Sequence, residues 1–226
     1  MKNPNMNFNT TFTPLTVDPD KIYEHSFSII KEEMGEHPFT DEQWMVVRRV
    51  IHASADFELG RSMVFTPDAL EAGIQSILAG RHVLVDVQMI ESGSGRKRFQ
   101  KHGSDLHCYI ADEDVAKEAK LQGTTRAIIS MQKATRLHKG GIYAIGNAPT
   151  ALLELIRLIK EGIAKPDLII GMPVGFVSAA ESKEELAVLE GIPFITNIGR
   201  KGGSTVTVAA LNAISIMADE RAKQTN

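Results

Sequence analysis

The segment Arg48-Arg49-Val50-Ile51-His52-Ala53-Ser54-Ala55-Asp56 gathers the side chains best suited to moving a proton beside a bound anion. On a continuous helix Arg49, His52 and Asp56 stand three and four residues apart and share one face, away from the apolar stripe of Trp44, Val47 and Ile51. There an arginine can grip a carboxylate, an imidazole can give or take a proton, and an aspartate can steady the imidazole. Asp56 would favour the charged ring and Arg49 would oppose it. The same spacing also describes a solvated polar face near a helix end, so by itself it names no reaction.

Other reactive patterns are missing. His25, His37, His82, His102, His107 and His138 have no metal-ligand spacing, and Cys108, the one cysteine, lies in a strand-like run and reads as a small apolar residue. There is no G-x-S-x-G elbow, no H-E-x-x-H, no P-loop, and no G-x-G-x-x-G following a strand. Four glycine-rich segments remain: Met89 to Arg96, Gly146 to Thr150, Gly171 to Phe176 and Asn197 to Ser204. Each of the last three runs into a helix pattern, where free amides and the helix dipole favour anions, and Arg200-Lys201 adds two cations. Such turns could be merely structural. Three along one sheet edge suit a broad ligand with several carboxylates better than one compact phosphate.

The elements that must hold these segments follow from periodicity and caps. Asp18 and Pro19 open a helix that ends near Gly35. The Thr40-x-x-Gln43 capping box opens a second, and Thr66-Pro67 a third that runs to Gly80. Short apolar runs then recur at 82–87, 108–110, 127–129, 142–145, 168–170 and 193–195, with helix patterns at 112–122, 149–161, 178–190 and 204–223. Nearly continuous apolar strands alternating with helices predict an α/β fold. The expectation is a three-layer α/β/α arrangement with a mainly parallel, flavodoxin-like sheet and extra N-terminal helices. Residues 1–16, rich in Asn, Thr and Pro, read as a poorly ordered arm before a single domain over 17–226.

Composition narrows the setting. The chain has 226 residues and a formal net charge of -3, too acidic for broad nucleic-acid binding, so an anionic ligand must be met by a local cationic cluster. No apolar run approaches the roughly 20 residues of a membrane span, and the N-terminus has no basic segment followed by an apolar one. A lone cysteine fits a cytoplasmic protein.

Several segments together resemble the precorrin-8X methylmutase family, called cobalt-precorrin-8 methylmutase in its metal-containing pathway. They are Ile22-Tyr23-Glu24-His25-Ser26-Phe27, Val47-Arg48-Arg49-Val50-Ile51-His52-Ala53, Asp86-Val87-Gln88-Met89, Gly146-Asn147-Ala148-Pro149-Thr150-Ala151-Leu152, Gly171 to Lys183, and Gly199-Arg200-Lys201-Gly202-Gly203-Ser204. The resemblance spans about Ile22 to Met217 and implies an isomerase of cobalamin biosynthesis. The implied reaction is a 1,5-sigmatropic methyl shift on ring C of an acidic tetrapyrrole, giving hydrogenobyrinate or cobyrinate without a cofactor or a protein-bound metal. It further implies His52 as the acid, and Ser26, Arg49, Ser94, Arg126, Asn147, Arg200 and Lys201 as substrate contacts. A homodimer with sites near its interface completes the expectation.

Overall fold

Helix caps set most element boundaries. Asp18 accepts the Asp20 amide at 3.1 Å and, with Pro19, opens α1 (Pro19–Met34); the Thr40–Gln43 capping box opens α2 (Asp41–Ser54). In this computed structural model residues 11, 12 and 14–225 are described, so most of the expected N-terminal arm lies outside them. Contacts group the chain into two units, one ending at Glu36 and one beginning at His37. The domain start expected at residue 17 therefore falls inside the first unit. In that unit α1 carries an edge-to-face Tyr23–Phe27 pair, with ring centroids 4.3 Å apart.

The second unit continues from α2 through α3 (Phe57–Arg61), β1 (Met63–Phe65), α4 (Ala69–Leu78) and β2 (Val83–Val85) to α5 (Gln88–Gly93) and α6 (Arg96–Gln100). Next come β3 (Leu106–Cys108), α7 (Glu113–Gln122), α8 (Arg126–Leu137), β4 (Ile142–Ile145) and α9 (Pro149–Lys160). It closes with β5 (Leu168–Gly171), α10 (Ala179–Ala187), β6 (Phe194–Asn197) and α11 (Ser204–Thr225). The six-stranded sheet has the order β1-β6-β5-β4-β2-β3. Its pairs are parallel except β1 with β6, where Met63 faces Asn197. Counted from the first parallel strand the order is 2-1-3-4-5, the flavodoxin arrangement.

The sheet is buried on both faces, as the apolar runs require: every residue of β2, β4, β5 and β6 is buried. One face packs Met131, Leu152, Leu155 and Leu186 of α8, α9 and α10 against Leu84, Tyr143 and Ile169. On the other, α11 lies on α2, α4 and α5 and against β4 and β5. Each buried Leu or Ile contributes roughly 1.5–3 kcal/mol of transfer free energy.

Local expectations fail at several places. Residues 127–129 belong to α8, not to a strand: Thr125 caps the helix at the Ile128 amide, and Ala127, Met131 and Ala134 form one buried helical face that outweighs a short apolar run. The glycine-rich stretch from Met89 to Arg96 is not an open loop but α5 and the start of α6, joined at Ser94-Gly95. β3 lies two residues earlier than expected, and α10 stops at Ala187, before Gly191. β1 was not expected; three residues at a sheet edge carry too little pattern, and only its pairing with β6 defines it. Helix α2 ends at Ser54 because Ala55 turns left-handed, with φ 52° and ψ 30°.

Candidate active site

Because β2, β4, β5 and β6 run parallel, the segments leaving them emerge on one edge of the sheet. In this fold that edge is where ligands settle, at the switch point between β2 and β4. Asp86, directly after β2, is fully buried and crosses that point. Its Oδ1 accepts the Gly146 amide at 3.0 Å, and its Oδ2 accepts the Asn147 and Ala148 amides at 2.9 and 2.7 Å. The anion expected at the start of α9 is thus the protein's own carboxylate, and these amides are not offered to a ligand. Burial pushes the Asp86 carboxyl up from its ordinary value, against the pull of the three amides. The start of α8 adjoins that of α9, with Thr125 Oγ1 and Thr150 Oγ1 3.4 Å apart. Exposed Arg126 and the exposed side chain of Asn147 therefore belong to this end of the edge.

A second cluster forms where α2 meets α3. His52 is exposed on the last turn of α2, and Arg49 is half-buried one turn before it. The left-handed turn at Ala55 takes Asp56 off their helical face, which corrects the expectation of a shared face. Asp56 instead caps α3 by accepting the Leu59 amide at 2.9 Å, and its Oδ2 accepts from Lys201 Nζ at 2.7 Å. Glu58 Oε2 takes the same ammonium at 2.7 Å. The Lys201 hydrogen bond, helped by the Leu59 amide, holds the Asp56 carboxyl below its ordinary value. The glycine-rich turn after β6 is thereby tied to the helix corner that carries His52.

That turn is held from behind as well. Lys183 of α10, almost fully buried, donates to the Lys201 carbonyl at 2.6 Å and lies 3.4 Å from Asn197 Oδ1; Asn197 Nδ2 donates to the same carbonyl at 2.9 Å. Gly175 donates its amide to the Arg200 carbonyl at 3.2 Å, and Gly203 to Met172 at 2.8 Å. Gly202 has φ 152°, and a Cβ there would collide with the Met172 carbonyl, so only glycine permits this approach. Arg200 is exposed, its guanidinium carbon 6.0 Å from the Phe176 ring. Met89, Phe176, Val177 and Ile198, on the segments after β2, β5 and β6, are all exposed apolar side chains. Among the described residues the two non-glycines with positive φ, Ala55 and Ser178, precede α3 and α10. Strain of that kind gathers where a fold holds a working geometry.

The sequence-derived positions are thus distributed unevenly. Lys201 joins the corner that carries Arg49 and His52, and Arg200 precedes it in the same turn beside Phe176, whereas Arg126 and Asn147 lie toward the switch point. Ser94 is buried, its hydroxyl donating to the Ile90 carbonyl at 2.7 Å. Ser26 belongs to the first unit, where its hydroxyl donates to the Ile22 carbonyl at 2.7 Å.

The model of the family described as precorrin-8X methylmutase matches residues 21–217. The chain belongs to that family. Being a methylmutase, it is an enzyme of the isomerase class. It is similar to a cobalt-precorrin-8 methylmutase of Priestia megaterium, 68% identical over 95% of each chain. It is also similar to one of Leptospira interrogans, 48% identical over 90% of this chain and 96% of that one. Among solved structures, a precorrin-8x methyl mutase from Thermus thermophilus superposes with a TM-score of 0.82 at 41% identity, covering 89% of this chain and 97% of the other.

For a precorrin-8X methylmutase fold, two residues of this edge escaped sequence reasoning: Asp86 and Lys183. A lone aspartate ending an apolar strand is a usable signal, since a charge there must be paired or bonded. Lys183 is signalled only as the last residue of the resemblance segment that begins at Gly171; by its own chemistry it is hidden, because its neighbours Glu181, Glu184 and Glu185 make the stretch resemble a solvated helix face. Among the described residues no three His, Cys, Asp or Glu side chains converge as a metal-ligand set, and no helix is long and apolar enough to cross a membrane.

Proposed function

We propose that the protein catalyses the 1,5-sigmatropic methyl shift on ring C of an acidic tetrapyrrole in cobalamin biosynthesis, with His52 as general acid. The observation that carries this reading is the Lys201–Asp56 tie, which joins the glycine-rich, cationic turn after β6 to the helix corner bearing His52 and Arg49. A flat polyacid needs cations for its rim and apolar surface for its faces. Arg49 and Arg200 supply the first; Met89, Phe176, Val177 and Ile198 supply the second. Ser26, Ser94, Arg126, Asn147 and Lys201 complete the set of contacts, with Ser94 exchanging its present partner for a substrate carboxylate and Lys201 keeping its tie to Asp56 while a further N–H of its ammonium meets another.

In the reaction the bond from the methyl carbon to its α carbon on ring C breaks as the bond to the adjacent β carbon forms, so atoms and electrons balance without a redox partner. A proton lent by His52 to the conjugated ring withdraws electron density and stabilises the rearranging system; it returns to the imidazole when product forms. The substrate is cobalt-precorrin-8 rather than metal-free precorrin-8X, a choice supported by the names of the relatives at 68% and 48% identity, against the metal-free name at 41%. A cytoplasmic homodimer belongs to the same reading.

Incubation of the purified protein with cobalt-precorrin-8 and with precorrin-8X, followed by absorption spectroscopy, tests it. Appearance of the corrin spectrum of cobyrinate is expected; conversion of neither substrate would remove the assignment.

A further inference from the structure

A lysine ammonium almost fully buried with only neutral acceptors is costly, and a fold retains one where its hydrogen bonds do something that an apolar side chain cannot. Lys183 is such a group. It meets Asn197 of β6 and the Lys201 carbonyl; the charged side chains nearest along the loop, Lys201, Asp56 and Glu58, pair with one another on the partly exposed side. On its own helix, Glu181, Glu184 and Glu185 are exposed.

We infer that Lys183 is a positioning residue for the proposed tetrapyrrole site: by holding the Lys201 carbonyl from beneath, it fixes the turn 197–203, so that Arg200 faces the ligand and Lys201 keeps the α2–α3 corner in place. This rests on the functional reading above and deepens it. One residue connects the two halves of the device, since the Lys201 carbonyl is held by Lys183 and Asn197 while its ammonium reaches Asp56. A neutral amine there donates a weaker hydrogen bond than an ammonium does. Burial lowers the Lys183 pKa to about 8, so the hold is strongest below that pH and slackens above it.

The test compares wild type with Lys183→Met, which removes the charge at similar length, and Lys183→Arg, which keeps a charge that does not titrate in the range used. Hydrogen exchange of the amides of 198–203, measured at neutral pH without ligand, is expected to quicken in Lys183→Met. Affinity for cobyrinate, followed by its absorption, is expected to fall about tenfold in Lys183→Met, as the loss of one charge-assisted hydrogen bond implies. In wild type it should weaken with a midpoint near pH 8, a transition missing from Lys183→Met and shifted beyond pH 10 in Lys183→Arg. If Lys183→Arg does not fold, the Met variant decides alone. Unchanged exchange at 198–203 together with an unchanged pH profile overturns the inference. A wild-type protein that binds no cobyrinate overturns the functional reading instead, and quickened exchange in Lys183→Met then still supports the hold on the turn.

Discussion

Lys201 Nζ lies 2.7 Å from Asp56 Oδ2 although the two residues are 145 positions apart in the chain. The contact closes the turn after β6 onto the end of α2, and Asp56 simultaneously caps α3. Its two roles separate by substitution. Asp56→Asn keeps a good cap and loses the ion pair, which is partly exposed and contributes no more than about 1 kcal/mol. Asp56→Ala loses both and should cost about 1 kcal/mol more in urea unfolding. Because the folded carboxyl lies below its ordinary 3.8, the stability it adds is present above that pH and lost as pH falls through the lower folded value. Asp56→Asn should flatten that acid limb.

Removing Asp86 leaves the Gly146, Asn147 and Ala148 amides without their acceptor in a buried place. Asp86→Ala is expected to cost about 3 kcal/mol or more by chemical denaturation. Asp86→Asn should be hardly better, since its amide group turns a donor toward donors.

His52 is exposed, so His52→Ala should change thermal stability little while turnover falls roughly 10²- to 10⁴-fold, the usual worth of a general acid. Product affinity should persist. Arg49→Ala should show the opposite division, with affinity for cobyrinate about tenfold weaker by absorption titration, as the loss of one charge-assisted contact implies. Full turnover in His52→Ala would take the imidazole out of the reaction.

At the amino end of the strands His82, His107 and His138 form a cluster, with centroids 4.8, 4.9 and 5.3 Å apart, and the Tyr109 hydroxyl lies 2.7 Å from His138 Nε2. Burial, then the other imidazoles, lowers the pKa of both His107 and His138, while Asp105 and Glu91 pull His107 the other way and Arg96 adds to its lowering. A base whose folded pKa is depressed holds its stability above the ordinary 6.5 and loses it as pH falls through the folded value. Unfolding midpoints in urea should therefore drop between pH 7 and 5. His107→Gln should lessen the drop; an unchanged slope would show that the cluster is not its source.

Much of the architecture was legible because its signals are local. Caps at Asp18 and Thr40 and unbroken apolar runs at 142–145 and 168–170 depend only on neighbours in the chain, and they sufficed for a parallel α/β sheet. Short or competing signals misled. Ala127-Ile128-Ile129 looks like a strand until Met131 and Ala134 are counted, and Met63 to Phe65 acquires meaning only from β6.

By itself the sequence determined the layered fold, the family and the residue types available to the site, since periodicity, caps and motif order are properties of the chain read in one dimension. Only the tertiary structure decided which of those residues have work to do elsewhere. Asp86 fills the amide nest that a ligand was expected to take, Asp56 leaves the His52 face at the Ala55 turn, and Lys183 is buried beneath the turn that carries Arg200. The physical reason is that a charged side chain's role depends on which partners folding brings within hydrogen-bond distance, and those partners lie from 14 to 145 positions away in the chain.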